Sequence, residues 1–220
     1  MYNYPKLSSL LIILISIIII IGCALYKSLK EGLTNINNVI LLGDSVLNNS
    51  NYVPSGKSVS DILNSKLSNV LNLAKDGATI NDLYRQLDDI PIELDKAETF
   101  VFISAGGNDI LNKRMELNPV DIKNLFDSYM NFLRALRVKL VSAKINVLNL
   151  YLPANPRYAS YKSSITQWNN LINQYSSKIG EMYNVIDIYS LLTTPNDFVY
   201  DIEPSETGSE KIAKIIYLTR

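Results

Sequence analysis

The feature that most constrains the fold is an alternation, along residues 38–220, between short runs of branched apolar residues and longer segments with helical periodicity. Such alternation is typical of a parallel sheet covered by helices, so it predicts an α/β domain. The predicted strands are Val39 to Leu42, Val70 to Leu73, Thr99 to Ser104, Ile145 to Tyr151 and Val185 to Ile188.

Three helices are best defined by the sequence. Asn118 and Pro119 mark the start of a long helix, because proline is favoured in the first helical turn. A second long helix is predicted from Ile165 to Met182, where apolar residues recur at helical spacing. Thr207 and Glu210 predict a capping box for the last helix. Together these elements predict one three-layer, flavodoxin-like domain with a five-stranded parallel sheet.

Polar and glycine-rich clusters follow the first three predicted strands. In open parallel sheets, ligands bind beyond the carboxyl ends of the strands, so these clusters are expected at one rim of the domain. They are Gly43-Asp44-Ser45, Lys75-Asp76-Gly77 and Gly106-Gly107-Asn108-Asp109, and the segment Tyr200 to Ser205 before the last helix is expected at the same end. A hydroxyl, amide donors and carboxylates then converge on one site.

Each cluster alone is typical of an ordinary turn, but their order and spacing together are more specific. Gly43-Asp44-Ser45, then Gly77, then Gly106 to Asp109, and finally a Pro-Ser segment followed by Gly208, resemble the ordered blocks of the SGNH (GDSL-type) hydrolases. The resemblance covers about residues 38–217, which is nearly the whole α/β domain.

The resemblance implies a role for several residues. Ser45 is the expected nucleophile of an ester hydrolase. Its own backbone amide, the backbone amide of Gly77 and the side-chain amide of Asn108 are the expected oxyanion hole. Donors arranged in this way stabilise a tetrahedral oxyanion by about 3 kcal/mol each.

The last block departs from the family pattern, in which an aspartate is followed three positions later by a histidine. The matching register places Tyr200 on the aspartate's position and Glu203 on the histidine's, with Asp201 one residue later. The chain contains no histidine at all. Any imidazole base or imidazole metal ligand is therefore excluded within this chain.

Two functions remain open at this point. The first is an ester hydrolase in which Glu203 is the base, with its pKa raised by burial and by a like charge from Asp44 or Asp201. The second is a pseudoenzyme that binds an acylated or glycosylated ligand at a membrane. Acyl transfer would use the same residues as hydrolysis, and the substrate stays open among lipids, acetylated sugars and peptide esters.

Residues 1–30 are predicted to be an N-terminal transmembrane anchor, followed by a tether over residues 31–37. Leu7 to Tyr26 contains no charged residue and is about 30 Å long as a helix, the thickness of a bilayer's hydrocarbon core. A cleaved signal segment or a lipoprotein modified at Cys23 are the alternatives, and they would make the protein secreted or lipid-anchored. The expected location is otherwise a membrane, with a single pass and unassigned orientation.

The composition limits the other classes of function. Lysine plus arginine and aspartate plus glutamate number 21 each, so no net charge attracts nucleic acid, and no nucleic-acid partner is expected. No dinucleotide or P-loop glycine pattern occurs, and acidic pairs such as Asp88 and Asp89 lack nearby histidine or cysteine. We therefore expect no cofactor and no metal.

Overall fold

The structure is a computed structural model that describes residues 15–25, 37–113, 117–178 and 183–220. The chain divides into two units, Met1–Ile36 and Asn37–Arg220. In the first unit, residues 15–25 form a helix with exposed side chains. None of the helices in the described ranges combines the length and the apolarity needed to cross a bilayer. The predicted anchor and tether fall largely outside these ranges and stay predictions.

The second unit is built on a five-stranded parallel sheet with the strand order β2-β1-β3-β4-β5. This order is the flavodoxin-like one, so the predicted α/β fold with five parallel strands is confirmed. Its strands are β1 (Asn38–Gly43), β2 (Val70–Asn72), β3 (Thr99–Ser104), β4 (Lys144–Leu148) and β5 (Asn184–Ile186). β1 lies between β2 and the central strand β3, and it pairs with β3 through six residues, from Asn38 opposite Thr99 to Gly43 opposite Ser104.

Helices cover both faces of the sheet, as successive residues of β1 show. Ile40 and Leu42 pack on one side and Val39 and Leu41 on the other, because strand side chains alternate between faces. The helices are α1 (Val59–Asn64), α2 (Leu83–Asp88), α3 (Gly107–Leu111), α4 (Pro119–Lys139), α5 (Lys162–Lys178) and α6 (Glu206–Thr219). The side packed by α2, α4 and α5 holds Phe126 and Trp168, whereas α1 and α6 cover the other side.

The helix predicted at Asn118 and Pro119 begins there. Asn118 is its N-cap, and its side-chain oxygen accepts hydrogen bonds from the backbone amides of Val120 and Asp121. The second long helix is described as far as Lys178, so the predicted residues Ile179 and Met182 lie outside the described ranges.

Two strand ends differ from the predictions because side chains take over the backbone hydrogen bonds. β4 ends at Leu148, not Tyr151, since the buried Asn149 side chain accepts hydrogen bonds from the amides of Ile188 and Tyr189. Those two bonds also turn the chain away after β5, which ends at Ile186 instead of Ile188. β2 ends at Asn72, one residue before the predicted end at Leu73.

The segment before the last helix is a short antiparallel hairpin that the sequence did not predict. Its strands are β6 (Phe198–Val199) and β7 (Glu203–Pro204), paired as Phe198 with Pro204 and Val199 with Glu203. The capping box predicted from Thr207 and Glu210 is wrong. α6 begins at Glu206, and its N-cap is Ser205, whose hydroxyl accepts the Gly208 amide.

Candidate active site

The loops after β1 and β3 and the β6–β7 hairpin meet at the carboxyl edge of the sheet. Ser45, Asn108 and Glu203 all line one cavity there. Gly77 is not among the residues that line this cavity, although its loop contacts Asn108. The predicted convergence of a hydroxyl, an amide and a carboxylate is therefore present in the fold.

The end of β1 sets the position of Ser45. Gly43 has a φ of +123°, and a Cβ atom at this position would lie 1.9 Å from the carbonyl oxygen of Ser104 on β3. Only glycine fits so close to the neighbouring strand. The side chain of Gln86 on α2 holds both backbone groups of Gly43, accepting its amide at 2.6 Å and donating to its carbonyl at 2.9 Å.

Asp44, between Gly43 and Ser45, is a buried carboxyl that also lines the cavity. Its Oδ1 accepts hydrogen bonds from the Ser104 hydroxyl at 2.8 Å and from the Val46 amide at 3.2 Å. Burial raises the pKa of Asp44 to about 7, and the nearby negative charge of Glu203 adds to the rise. This carboxyl therefore titrates close to neutral pH.

The loop after β2 and the start of α3 are joined by two hydrogen bonds. The side-chain amide of Asn108 donates to the carbonyl of Ala78 at 3.0 Å, and the carboxylate of Asp109 accepts the Ile80 amide at 3.1 Å. Gly77, with a φ of +73°, lies directly before Ala78. An amide group carries two N–H bonds, and the second N–H of Asn108 has no hydrogen-bond partner among the residues that the structure describes.

Glu203 lies on β7 and is half-buried against the same cavity. Burial raises the pKa of Glu203, the Ser45 hydroxyl lowers it as a hydrogen-bond donor, and the negative charge of Asp76 raises it. Burial is the largest of these effects. Oε2 of Glu203 is buried without a hydrogen-bond partner among the described residues, so this oxygen has a lone pair available to accept a proton.

Asp201 lies away from this cluster. Its carboxylate is exposed and pairs with the guanidinium of Arg157 at 3.0 Å. The like charge that acts on Glu203 comes instead from Asp76, in the loop after β2. Tyr200 and Asp201 have φ values of 49° and 71°, as the two central residues of a type I′ hairpin turn require. The turn points these two side chains outward.

The remaining walls of the cavity are apolar. Its volume is about 60 Å³. Beside the four polar side chains described above, the walls include Ile110, Leu111, Leu150, Tyr151, Tyr158, Tyr161, Ile165 and Ile202. The short 3₁₀ segment Pro156–Tyr161 supplies the two tyrosines Tyr158 and Tyr161.

Three positioning residues were missed because their partners are distant in sequence. Gln86 holds Gly43, Ser104 holds Asp44, and Asn49 joins the loop after Ser45 to β7. Gln86 and Asn49 are almost fully buried polar side chains, and Ser104 is the last residue of β3. Within the described residues, no cluster of three or more acidic or cysteine side chains is suited to a metal ion.

The sequence matches a family model, described as the GDSL-like lipase/acylhydrolase family, over residues 41–211. The match includes Ser45, Asn108 and Glu203 and covers most of the chain. The chain belongs to this GDSL-like family. A comparison with curated proteins finds no match.

Solved structures of GDSL-like proteins share the fold. A lipolytic protein of the G-D-S-L family from Veillonella parvula has a TM-score of 0.66 at 18% identity, covering 82% of this chain and 96% of that one. A GDSL-like lipase from Bacteroides thetaiotaomicron has a TM-score of 0.64 at 15% identity, covering 83% and 87%. Phospholipase A1 from Streptomyces albidoflavus has a TM-score of 0.58 at 14% identity, covering 84% and 100%.

Proposed function

We propose that this GDSL-like protein hydrolyses esters, with Ser45 as the nucleophile and Glu203 in place of the usual histidine base. One observation carries the proposal. The Ser45 hydroxyl, the Asn108 side chain and the Glu203 carboxylate line one cavity, and the hydroxyl is near enough to Glu203 to lower the pKa of its carboxyl. A nucleophile beside a base is the minimal arrangement for acyl transfer to serine.

The reaction begins when Ser45 Oγ attacks the ester carbonyl carbon and its proton passes to Glu203. The second N–H of Asn108 and the backbone amide of Ser45 stabilise the resulting oxyanion, and a substrate that extends beyond the cavity would be needed for the Gly77 amide to join them. The carbon–oxygen bond to the alcohol then breaks, and the leaving oxygen takes the proton from Glu203. Water hydrolyses the acyl-enzyme in the same way, with Glu203 again accepting the proton.

In this proposal, Asp44 and Glu203 share one proton at neutral pH. Two neighbouring carboxyls do not both ionise easily, because each charge disfavours the other. With its pKa raised to about 7, the fully buried Asp44 carries the shared proton for much of the time. Glu203, which is only half-buried, is then ionised and able to act as the base.

The substrate we propose is the ester of a short, uncharged acyl group. An apolar cavity of about 150 Å³ holds a benzene molecule, so a cavity of about 60 Å³ takes roughly two or three carbons. Its walls carry no positive charge that would bind an anionic acyl chain. Esters of acetate or propionate fit this space better than esters of long fatty acids.

A panel of p-nitrophenyl esters from acetate to palmitate tests the activity and the chain length with the full chain. We expect turnover with the shortest esters. In Ser45→Ala and in Glu203→Gln, kcat is expected to fall by about 10²-fold or more, which is the order of magnitude that a general base contributes. Ser142→Ala and Glu210→Gln are matched controls on exposed positions. Unchanged turnover in Ser45→Ala or Glu203→Gln overturns the assigned role of that residue.

A second function is favoured by the absence of histidine from the chain. The same cavity and donors would let a pseudoenzyme bind an acylated or glycosylated ligand without cleaving it. A fluorophosphonate that reacts with activated serines separates the two functions. Labelling of the wild-type chain but not of Ser45→Ala supports the hydrolase, whereas no labelling between pH 5 and pH 9 supports the binding protein.

We further propose that residues 1–30 hold the domain at a membrane. The support is the uncharged stretch from Leu7 to Tyr26, flanked by Lys6 and Lys27. Expression of the full chain followed by carbonate extraction is the test. An anchored protein stays with the membrane pellet, and its release into the supernatant overturns the proposal.

A further inference from the structure

The loop that follows Ser45 contacts the loop after β2 through Tyr52. The Tyr52 hydroxyl donates a hydrogen bond of 2.6 Å to Oδ2 of Asp76, the residue before Gly77. The Tyr52 ring also meets the ring of Tyr200, edge to face, at a centroid distance of 6.1 Å. Tyr52 therefore contacts both the Gly77 loop and the hairpin that carries Glu203.

The loop after Ser45 is also fixed to β7, the strand that carries Glu203, by a buried side chain. Asn49 is fully buried, and its side-chain amide donates to the carbonyl of Pro204 at 2.9 Å and to the hydroxyl of Ser209 at 2.6 Å. Its side-chain oxygen accepts the amide of Val59 at 3.0 Å. Because Pro204 follows Glu203, this loop keeps a constant position relative to the base, and Tyr52 extends that constraint to Asp76.

Several ionisable groups lie around Glu203. Asp44 approaches from the end of β1, Tyr151 from the segment after β4, and Tyr52 and Asp76 from the two loops just described. Arg157, from the 3₁₀ segment, pairs with Asp201 on the neighbouring turn. Asp76 accepts a hydrogen bond from the Tyr52 hydroxyl, and its negative charge raises the pKa of Glu203.

We propose that Asp76, held by the Tyr52 hydroxyl, is a positioning residue whose negative charge makes Glu203 a stronger base for Ser45. The inference rests on the proposed hydrolase function and extends it to the residue that tunes the base. A negative charge beside a carboxylate raises the pKa of that carboxylate. A general base works best when its pKa lies near the operating pH. Asp76 would then supply the like charge that the sequence assigned to Asp44 or Asp201.

The experiment compares Asp76→Asn and Tyr52→Phe with the exposed controls Asp88→Asn and Tyr84→Phe. Removing the charge of Asp76 lowers the proton affinity of Glu203, so the acid limb of the kcat/KM profile moves to lower pH. We expect the plateau of kcat to fall about threefold, as a weaker base accepts the serine proton less readily. Tyr52→Phe leaves the charge in place but no longer held, so it is expected to move the limb in the same direction and to lower kcat by less than Asp76→Asn does.

A second measurement reads Glu203 without substrate. Carbon-13 labelling of glutamate side chains allows the Glu203 carboxyl to be titrated by NMR, with Glu203→Gln identifying its signal. The pKa of Glu203 is expected to be lower in Asp76→Asn than in the wild type and unchanged in Asp88→Asn. Working at about 10 mM salt keeps the interaction from being screened, because the Debye length there is about 30 Å.

The outcomes separate this inference from the proposed function. If Glu203→Gln abolishes turnover while Asp76→Asn leaves both the acid limb and the Glu203 titration unmoved, the hydrolase stands and the role of Asp76 is overturned. If Glu203→Gln turns over ester at the wild-type rate, the proposed function falls and this inference falls with it. A thermal unfolding midpoint that matches the wild type excludes general misfolding as the cause of a shift.

Discussion

The nucleophile half of the site, formed by the loops after β1, β2 and β3, differs in construction from the base half, formed by the β6–β7 hairpin. In the nucleophile half, Gly43 is held by Gln86 and the Asn108 amide is fixed by Ala78. In the base half, two adjacent non-glycine residues have left-handed backbone conformations, and Tyr200 is 71% exposed. Buried side chains hydrogen-bond to the backbone in both halves, but the turn of the base half is exposed at the surface.

This difference follows from the physical tasks of the two halves. An oxyanion hole works only when its donors are fixed in place before the charge develops, so its backbone tolerates little variation. A base needs a suitable proton affinity and contact with the nucleophile, and a carboxylate can gain both from burial and neighbouring charges. Under the proposed function, the base half therefore accommodates a carboxylate where the family pattern has histidine, while the nucleophile half keeps its motif residues.

The largest effect is expected from a substitution at Gly43, where the backbone of the nucleophile half is most crowded. Gly43→Ala places a Cβ atom 1.9 Å from the Ser104 carbonyl oxygen. This oxygen belongs to the backbone of β3, which has little room to move. We expect the free energy of unfolding to fall by more than about 4 kcal/mol, as measured by urea denaturation. Gly56→Ala is the control, because its φ is +83° but no atom lies within 4 Å of the added Cβ. Its expected cost is about 1 kcal/mol, and equal losses in the two variants would contradict the close approach.

Asn108→Ala tests the oxyanion donor in the same half. Loss of one such donor is expected to lower kcat by about 10² to 10³ with little change in KM, because the donor acts mainly on the transition state. Steady-state kinetics on a short ester measures both constants. Asn112→Ala, on the exposed end of α3, is the matched control. A rise in KM with an unchanged kcat would mean that Asn108 serves ordinary ligand binding.

The nucleophile half could be predicted from sequence because its logic is local. A strand followed by a glycine and a short polar segment places those residues at the carboxyl edge of the sheet, whatever their partners are. The clusters that contain Ser45 and Asn108 were placed at this edge in this way, whereas the roles of the two residues came from the resemblance to the SGNH hydrolases. Gln86 gave no such signal, since a glutamine in a helix reads as a surface residue until the fold places it against Gly43.

The base half could be predicted only in part, because its geometry depends on contacts between distant segments. Glu203 followed from the register of the last block, but nothing local indicated the β6–β7 hairpin. Asp201 was chosen as a like charge since it lies near Glu203 in sequence, yet the type I′ turn directs it to Arg157. Asp76 is 127 positions away from Glu203 in the chain, by the difference of their numbers, and only the fold brings the two charges together.

Asp44 lies where the two halves meet, and its titration measures their coupling. A carboxyl with a pKa of about 7 in the folded chain and an ordinary value near 3.8 when unfolded destabilises the fold increasingly as the pH rises from about 4 to 7. Asp44→Asn cannot ionise, so its stability relative to the wild type should increase over that range. We expect the gain to be about 2 to 3 kcal/mol larger at pH 8 than at pH 5.

Urea denaturation of the wild type and Asp44→Asn at both pH values measures this difference. Asp88→Asn, on an exposed position at the end of α2, is expected to show no such dependence on pH. A gain for Asp44→Asn that is the same at pH 5 and pH 8 would mean that the carboxyl stays ionised in the folded chain, as it is in the unfolded chain. The two halves would then not share a proton.

The smallest expected effect restores the family's usual pair in the base half. In the double variant Tyr200→Asp with Glu203→His, the imidazole has an ordinary pKa near 6.5 and is mostly neutral at pH 7.5, ready to accept the serine proton. Aspartate adopts a left-handed backbone more readily than tyrosine, so the turn at Tyr200 should keep its conformation. We expect kcat/KM on a short ester to rise about tenfold at pH 7.5.

A gain of the same size from Tyr200→Asp alone would show that relief of turn strain, and not the imidazole, limits the rate. If the folded double variant is no faster than the wild type, the base half holds Glu203 in a geometry that histidine cannot reproduce, and the correspondence between Glu203 and the family's histidine is wrong.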